Sequence, residues 1–365
     1  MKRRQFLTTA SAGLALGAGV STLTSALASA AAHARQPGLP HPLWPLWQAW
    51  RSAHLDFSGR VIDAPQRLAS HSEGQGYGMV LASEFGDADA FRRMDDWTQA
   101  NLAIRPDALL AWRWLPDIPQ RVPDLNNASD GDLFYAWALL RGAERFNRPE
   151  LRARATEIAS DLVRKCVAAR PDRPGTPVLL PAEQGFITRE GIIFNPSYIM
   201  PLALRELASA TGESRLEQVA QSGLDLMADL SRGGLVPDWL EITASGPRPA
   251  ADFSFDTGYE ALRVPLFLVW SGEAAHPALR EMTAAMAQVP AGQAATVIDS
   301  RSGEVLEMST HQGYRAVAAL TSCVSRQGVG APLPPFAPSQ PYYPATLHLF
   351  ALMVQSRFFP SCLPI

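Results

Sequence analysis

The sequence predicts an all-α protein of paired helices around a single core. Apolar residues recur at spacings of three and four in about eleven stretches, the pattern of amphipathic helices. Turn-forming Gly, Pro, Asp or Asn separates most of them. The 365 residues would suffice for about two domains of roughly 150 residues or for one large helical toroid. No strict repeat and no Pro/Ser-rich linker divides the chain beyond residue 35, which favours one domain.

The first 34 residues read as an address. Lys2-Arg3-Arg4-Gln5-Phe6-Leu7 precedes a weakly apolar Ala/Gly/Leu/Thr stretch, and small-x-small sites end at Ala30 and Ala34. The arginine pair resembles a twin-arginine export signal, and the Gly, Ser and Thr content makes a poor ~20-residue membrane span. The expectation is a cleavable signal over 1–34, a folded domain over 35–365, no stable membrane insertion, and a periplasmic or secreted product.

Helices are expected near 41–54, 73–85, 88–103, 130–146, 149–169, 196–210, 214–231, 256–272, 276–288, 309–326 and 342–357. Leu133, Trp137 and Leu140 share one helical face, which needs a neighbour to cover it. Short extended pieces at 178–180, 186–188 and 191–194, and at 295–298 facing 305–307, read as β-hairpins inserted between helices.

Composition narrows the function classes. The formal charge of −3 becomes −6 once Lys2, Arg3 and Arg4 leave with the signal, and such a surface does not attract nucleic acid. Cys166, Cys323 and Cys362 are isolated, so no CxxC metal pair or dense disulfide framework exists. Three thiols are the expectation, with one disulfide left open. No metal or organic cofactor is indicated.

Four segments carry chemistry. His71-Ser72-Glu73-Gly74-Gln75-Gly76-Tyr77-Gly78-Met79 puts three glycines into the first turns of a helix. Each costs roughly 0.5–1 kcal/mol relative to Ala, so close approach by a ligand or another helix must compensate. Ser72 and Gln75 make a capping box, the structural alternative to a functional Glu73. Asn126-Asn127-Ala128-Ser129-Asp130-Gly131-Asp132 gathers amides and carboxylates at a helix start but lacks the twelve-residue calcium loop ending in Glu. Trp112, Trp114 and Trp239 lie at loop edges where flat rings suit stacking on sugars. Asp256 and Glu260 stand at i and i+4 in an expected helix, hence on one face, with Arg263 placed for an ordinary surface ion pair to Glu260.

Together these segments resemble glycoside hydrolase family 8, and within it the periplasmic endoglucanases encoded with bacterial cellulose synthase. Gly59-Arg60-Val61-Ile62-Asp63, Asp96-Trp97-Thr98-Gln99-Ala100-Asn101-Leu102, Phe194-Asn195-Pro196-Ser197-Tyr198, Pro237-Asp238-Trp239 and Gly258-Tyr259-Glu260-Ala261-Leu262-Arg263-Val264 extend the likeness over nearly the whole domain. The resemblance implies an (α/α)6 barrel and inverting hydrolysis of β-1,4-linked glucan. It implies Glu73 as general acid and Asp130 as the carboxylate holding the central sugar and the attacking water. The motif positions Tyr77, Trp112, Trp114, Asp132, Asn195, Tyr198, Asp238, Trp239, Tyr259 and Arg263 then serve substrate binding. The family's base is an Asp in Tyr-Asp-Ala-x-Arg-Val, where this chain has Glu260, a departure that leaves Asp256 in reserve. A general acid must keep its proton at neutral pH, and a cleft carboxylate beside Asp130 and under aromatic rings has both like charge and desolvation to hold it.

Three readings compete. The first is an inverting endo-β-1,4-glucanase that trims nascent cellulose, with the cellulose synthase export complex as partner. The second keeps the fold but acts on chitosan, xylan or mixed-linkage glucan. The third is a non-catalytic glucan-binding component of the export machinery, its catalysis lost with the Asp-to-Glu change.

Overall fold

A computed structural model of the chain describes residues 41–331 and 333–363. The expected export signal over 1–34 lies outside the described residues. From Pro42 onward the chain forms one compact unit.

Eleven α-helices lie among the described residues: α1 (Trp44–His54), α2 (Ser72–Phe85), α3 (Ala88–Asn101), α4 (Ser129–Arg145), α5 (Pro149–Cys166), α6 (Pro201–Thr211), α7 (Ser214–Leu230), α8 (Arg263–Trp270), α9 (Pro277–Met286), α10 (Gln312–Ser325) and α11 (Tyr342–Phe358). Helices α2, α4, α6 and α8 touch in succession, α8 reaches α11, and the Tyr77 ring of α2 meets Phe350 of α11 at 5.2 Å. Those contacts close an inner ring. Helices α3, α5, α7 and α9 pack outside it, each against its sequence neighbour. The result is the predicted (α/α)6 barrel. Burial follows the layering: α2 and α4 are buried almost all round, whereas α3, α5 and α7 keep a polar outer face.

Small antiparallel sheets bridge the helices. They are β1 (Ser70–His71) with β2 (Arg113–Trp114), β3 (Val167–Ala169) with β4 (Pro177–Leu179), β5 (Gly191–Phe194) with β6 (Leu240–Thr243) and β7 (Gly246–Arg248), and β8 (Ala294–Ile298) with β9 (Val305–Ser309). The hairpin expected at 295–307 is present. The β6–β7 hairpin was not expected, and the piece at 186–188 contributes only a bridge from Ile187 to Ile192.

Three expected helices end or begin elsewhere. The helix expected over 149–169 stops at Cys166, and the chain turns into β3. The one over 196–210 starts with a 3-10 turn at Pro196–Tyr198, and α6 itself begins at Pro201, a proline at the first helical position. The one over 256–272 begins only at Arg263, because the preceding backbone is already engaged: Thr257 exchanges two hydrogen bonds with Ile298, at 2.9 and 3.0 Å, and Asp238 takes the N–H groups of Gly258 and Ala261. Asp256 and Glu260 therefore share no helical face.

The thiol expectation also needs correction. Cys323 at the end of α10 is disulfide-bonded to Cys362 beyond α11, tying the last helical pair together, and Cys166 remains a buried thiol.

Candidate active site

The half of the site that holds Glu73 and Asp130 is built where α2 and α4 begin side by side. A Cβ on Gly76 would lie 2.9 Å from the backbone nitrogen of Tyr135, and one on Gly131 would lie 2.0 Å from Ser72 Oγ. Both glycines are thus required by close helix contact, which offsets their cost in a helix interior. That contact brings Glu73 and Asp130, each in the first turn of its helix, to one rim of the barrel. The expected capping box is absent. His71 caps α2 by accepting the Gly74 N–H on Nδ1 at 3.1 Å, while Gln75 turns inward to bond Val61, Gly59, Met94 and Thr98.

Arg263, the first residue of α8, joins the two halves. Only 2% exposed, it sends one terminal nitrogen to Glu73, to Tyr77 Oη at 2.9 Å and to Asp130 Oδ2 at 3.3 Å. Its other terminal nitrogen reaches Glu260 and, at 2.8 Å, Ser197 Oγ. The ordinary surface pair expected with Glu260 is instead part of a buried hub. One guanidinium faces three carboxylates, so the fully ionised cluster carries an excess of negative charge that each retained proton lowers by one. Asp130 reflects this: burial pushes its carboxyl up to about 7, Arg263 opposes the shift, and the charges of Glu73 and Glu260 reinforce it.

The Glu260 half rests on a loop. Glu260 sits in the turn just before α8, and its Oε2 accepts hydrogen bonds from Asn195 Nδ2 and Ser197 Oγ, each at 3.3 Å, as well as from Arg263. Asn195 is itself fixed by accepting the Ser197 N–H at 2.9 Å. The buried Asp238 carboxylate holds the turn from below through Gly258 N at 2.8 Å and Ala261 N at 2.7 Å. Burial pushes Asp238 up to about 6, and those two backbone bonds oppose the shift. Asp256 is half-buried, bonded to Ser254, and does not line the cleft.

The cleft has a volume of about 550 Å³ and is lined by Glu73, Asp130, Glu260 and Arg263, with Trp112, Tyr198 and Tyr259 among the predicted aromatics. Tyr259 is 46% exposed and stands edge-on to Tyr314 at 6.1 Å. The remaining predicted residues are not among those that line the cleft. Tyr77 is fully buried under Arg263, and Asp132 is buried with its oxygens on Leu110 N at 2.7 Å and Asn127 Nδ2 at 2.8 Å. Trp114 is held between Arg60 and Arg121, with guanidinium carbons 4.8 and 5.3 Å from its ring. Trp239 joins Phe186, Phe253 and Tyr198 in an aromatic cluster.

Sequence reasoning missed Asp63, His71, Tyr314, Tyr342 and Tyr343 in the cleft wall. The pair Tyr342-Tyr343 opening an apolar helix was a readable signal. Tyr343 Oη donates to the Tyr259 carbonyl at 2.6 Å, which links the last helix to the loop that carries Glu260.

Comparison with known proteins places this geometry in context. The family model for glycosyl hydrolases family 8 matches residues 19–357. A probable endoglucanase of Novacetimonas hansenii is 33% identical over 320 residues, spanning 85% of this chain and 90% of that one. An endoglucanase of Cellulomonas uda is 30% identical over 279 residues, spanning 75% and 76%. Among solved structures, the endo-β-1,4-glucanase CMCax from Acetobacter xylinum superimposes with a TM-score of 0.77 at 31% identity, covering 87% of this chain and 99% of its own.

Proposed function

The chain belongs to glycosyl hydrolases family 8, and from that premise we propose that it is an endo-β-1,4-glucanase whose acid is Glu73 and whose base is Glu260. The observation carrying this reading is the convergence of Glu73, Asp130 and Glu260 on one buried arginine at the floor of an aromatic-walled cleft.

In this mechanism a glucan chain lies along the cleft with Trp112 and Tyr259 offering ring faces. Glu73 donates its proton to the glycosidic oxygen as the bond to the anomeric carbon breaks. Glu260 takes a proton from a water that attacks that carbon from the opposite face, so the product is inverted. Asp130 holds the central sugar and the water. Arg263 balances the carboxylates throughout and, with Asn195 and Ser197, occupies one oxygen of Glu260, leaving the other to face the water. The extra methylene of Glu relative to Asp is accommodated because a loop, rather than a helix, carries the residue.

Cleavage within chains is tested on a soluble cellulose derivative. Viscosity is expected to fall well before reducing ends accumulate, and release of no reducing ends would leave only a glucan-binding protein.

We place the enzyme in the periplasm or outside the cell, trimming cellulose during its export. The Arg3-Arg4 segment with its small-residue sites supports export, and the Cys323–Cys362 disulfide fits an oxidising compartment. Among the described residues no helix is long and apolar enough to cross a membrane.

A further inference from the structure

The Trp112 indole reaches the cleft from a closed ring of hydrogen bonds. Its Nε1 donates to Asp124 Oδ2 at 2.9 Å, Asp124 Oδ1 accepts the Asn126 N–H at 2.9 Å, and the Asn126 carbonyl accepts the Trp112 N–H at 3.0 Å. Backbone and side chain of Trp112 are thus bound to one three-residue segment. The Arg113 guanidinium carbon stands 4.2 Å from the centre of the indole and covers one face. The opposite face is the one left for a ligand. The Trp112 carbonyl accepts the N–H of Ser72, the first residue of α2, at 3.0 Å, which ties the indole to the residue directly before Glu73.

We propose that Asp124 is a positioning residue that sets the register of the glucan chain against Glu73, acting through the plane of the Trp112 ring. This rests on the cleft being that of a glucanase. Asp124 is exposed and does not line the cleft, so its effect on substrate passes through the indole. The χ2 torsion of a tryptophan is broad, and a bond at Nε1, on the far side of that torsion, selects one plane from the many that χ2 allows. A sugar stacked on the ring follows that plane. The glycosidic oxygen must come within about 2.6–3.2 Å of the group that protonates it. A platform held in one plane and tied to the start of α2 brings one linkage of the chain to Glu73, whereas a platform free to tilt lets the chain settle in several registers. Arg113 restricts the stacking to a single side.

The test is the choice of bond in cellopentaose labelled at its reducing end, read by mass spectrometry of the products. Registers that place a glucosyl unit on Trp112 gain from the stack, and Asp124→Ala should lower the ratio of the favoured cut to the next by about threefold. That is the lower end for one hydrogen bond, because the contact is solvent-exposed. Trp112→Phe keeps an aromatic ring and lacks the donor, so it should move the ratio in the same direction. In that background Asp124→Ala should add nothing further. A loss of stability alone does not redistribute the cuts, since unfolded enzyme makes none. A ratio unchanged in either single variant, or an Asp124→Ala shift of full size in the Trp112→Phe background, overturns the proposal. Failure of the glucanase reading appears separately, as absence of products from the wild type.

Discussion

The two halves of the site are held by different kinds of structure. Glu73 and Asp130 start neighbouring inner helices that touch through Gly76 and Gly131, so their backbones are fixed by packing on all sides. Glu260 sits on a turn fixed by hydrogen bonds from remote segments: Asp238 below, Asn195 and Ser197 beside it, and Tyr343 across the neighbouring Tyr259 carbonyl. The difference teaches where substitution is tolerated. A helix start leaves no freedom to change side-chain length, whereas a turn can be reset by small backbone shifts, and Glu260 stands on the turn.

Removing the proposed acid has the largest expected effect on this contrast. Glu73→Gln should lower kcat by ~10²–10⁴-fold while glucan binding and folding persist, as judged by affinity electrophoresis and circular dichroism. Wild-type turnover would reduce Glu73 to a helix-terminus carboxylate. Next comes the proposed base, where Glu260→Gln should lower kcat by on the order of 10²-fold and Asp256→Asn by less than about twofold. The reverse order would move the base one loop away and dissolve the contrast between the halves.

A smaller effect is expected from loosening the turn alone. Asp238→Ala leaves the buried N–H groups of Gly258 and Ala261 without their acceptor, costing about 1–3 kcal/mol in stability. It should lower kcat about tenfold with little change in KM, since misplacing the base weakens attack rather than binding. An unchanged kcat with a lowered Tm would mean that the turn holds itself. The smallest effect is on pH-dependent stability. The folded pKa of Asp130, about 7, lies above the ordinary 3.8, so its contribution is complete below the ordinary value and is lost as pH rises through about 7. Asp130→Asn should therefore flatten the fall in Tm between pH 5 and 8, and an unaltered slope would remove Asp130 as its source.

The same contrast governs what the sequence made legible. Ser72-Glu73-Gly74-Gln75 and Ser129-Asp130-Gly131-Asp132 each combine a helix start, close-packing glycines and chemistry within a few residues, so local reasoning placed them. The Glu260 half could not be read that way. Whether 256–262 is helix or turn depends on Asp238 and Ile298, 20 and 41 positions from their backbone partners Gly258 and Thr257, and local spacing favoured the helix. Arg263 was misread for the same reason, because its i,i+3 carboxylate was visible and its pairing with Glu73, 190 positions away, was not. Cys323 and Cys362 pair across 39 positions of chain, with nothing between them to announce it.

The proposed division of labour between a helix-borne acid and a loop-borne base is tested most directly by the stereochemistry of a single cut. Proton NMR of cellopentaose digestion, recorded before mutarotation, follows the anomer released at the new reducing end. With Glu260 activating water, the α-anomer should appear first and decay to the equilibrium mixture. First appearance of the β-anomer would mean that a carboxylate attacks the sugar itself, and would contradict the assignment of Glu260 as a base.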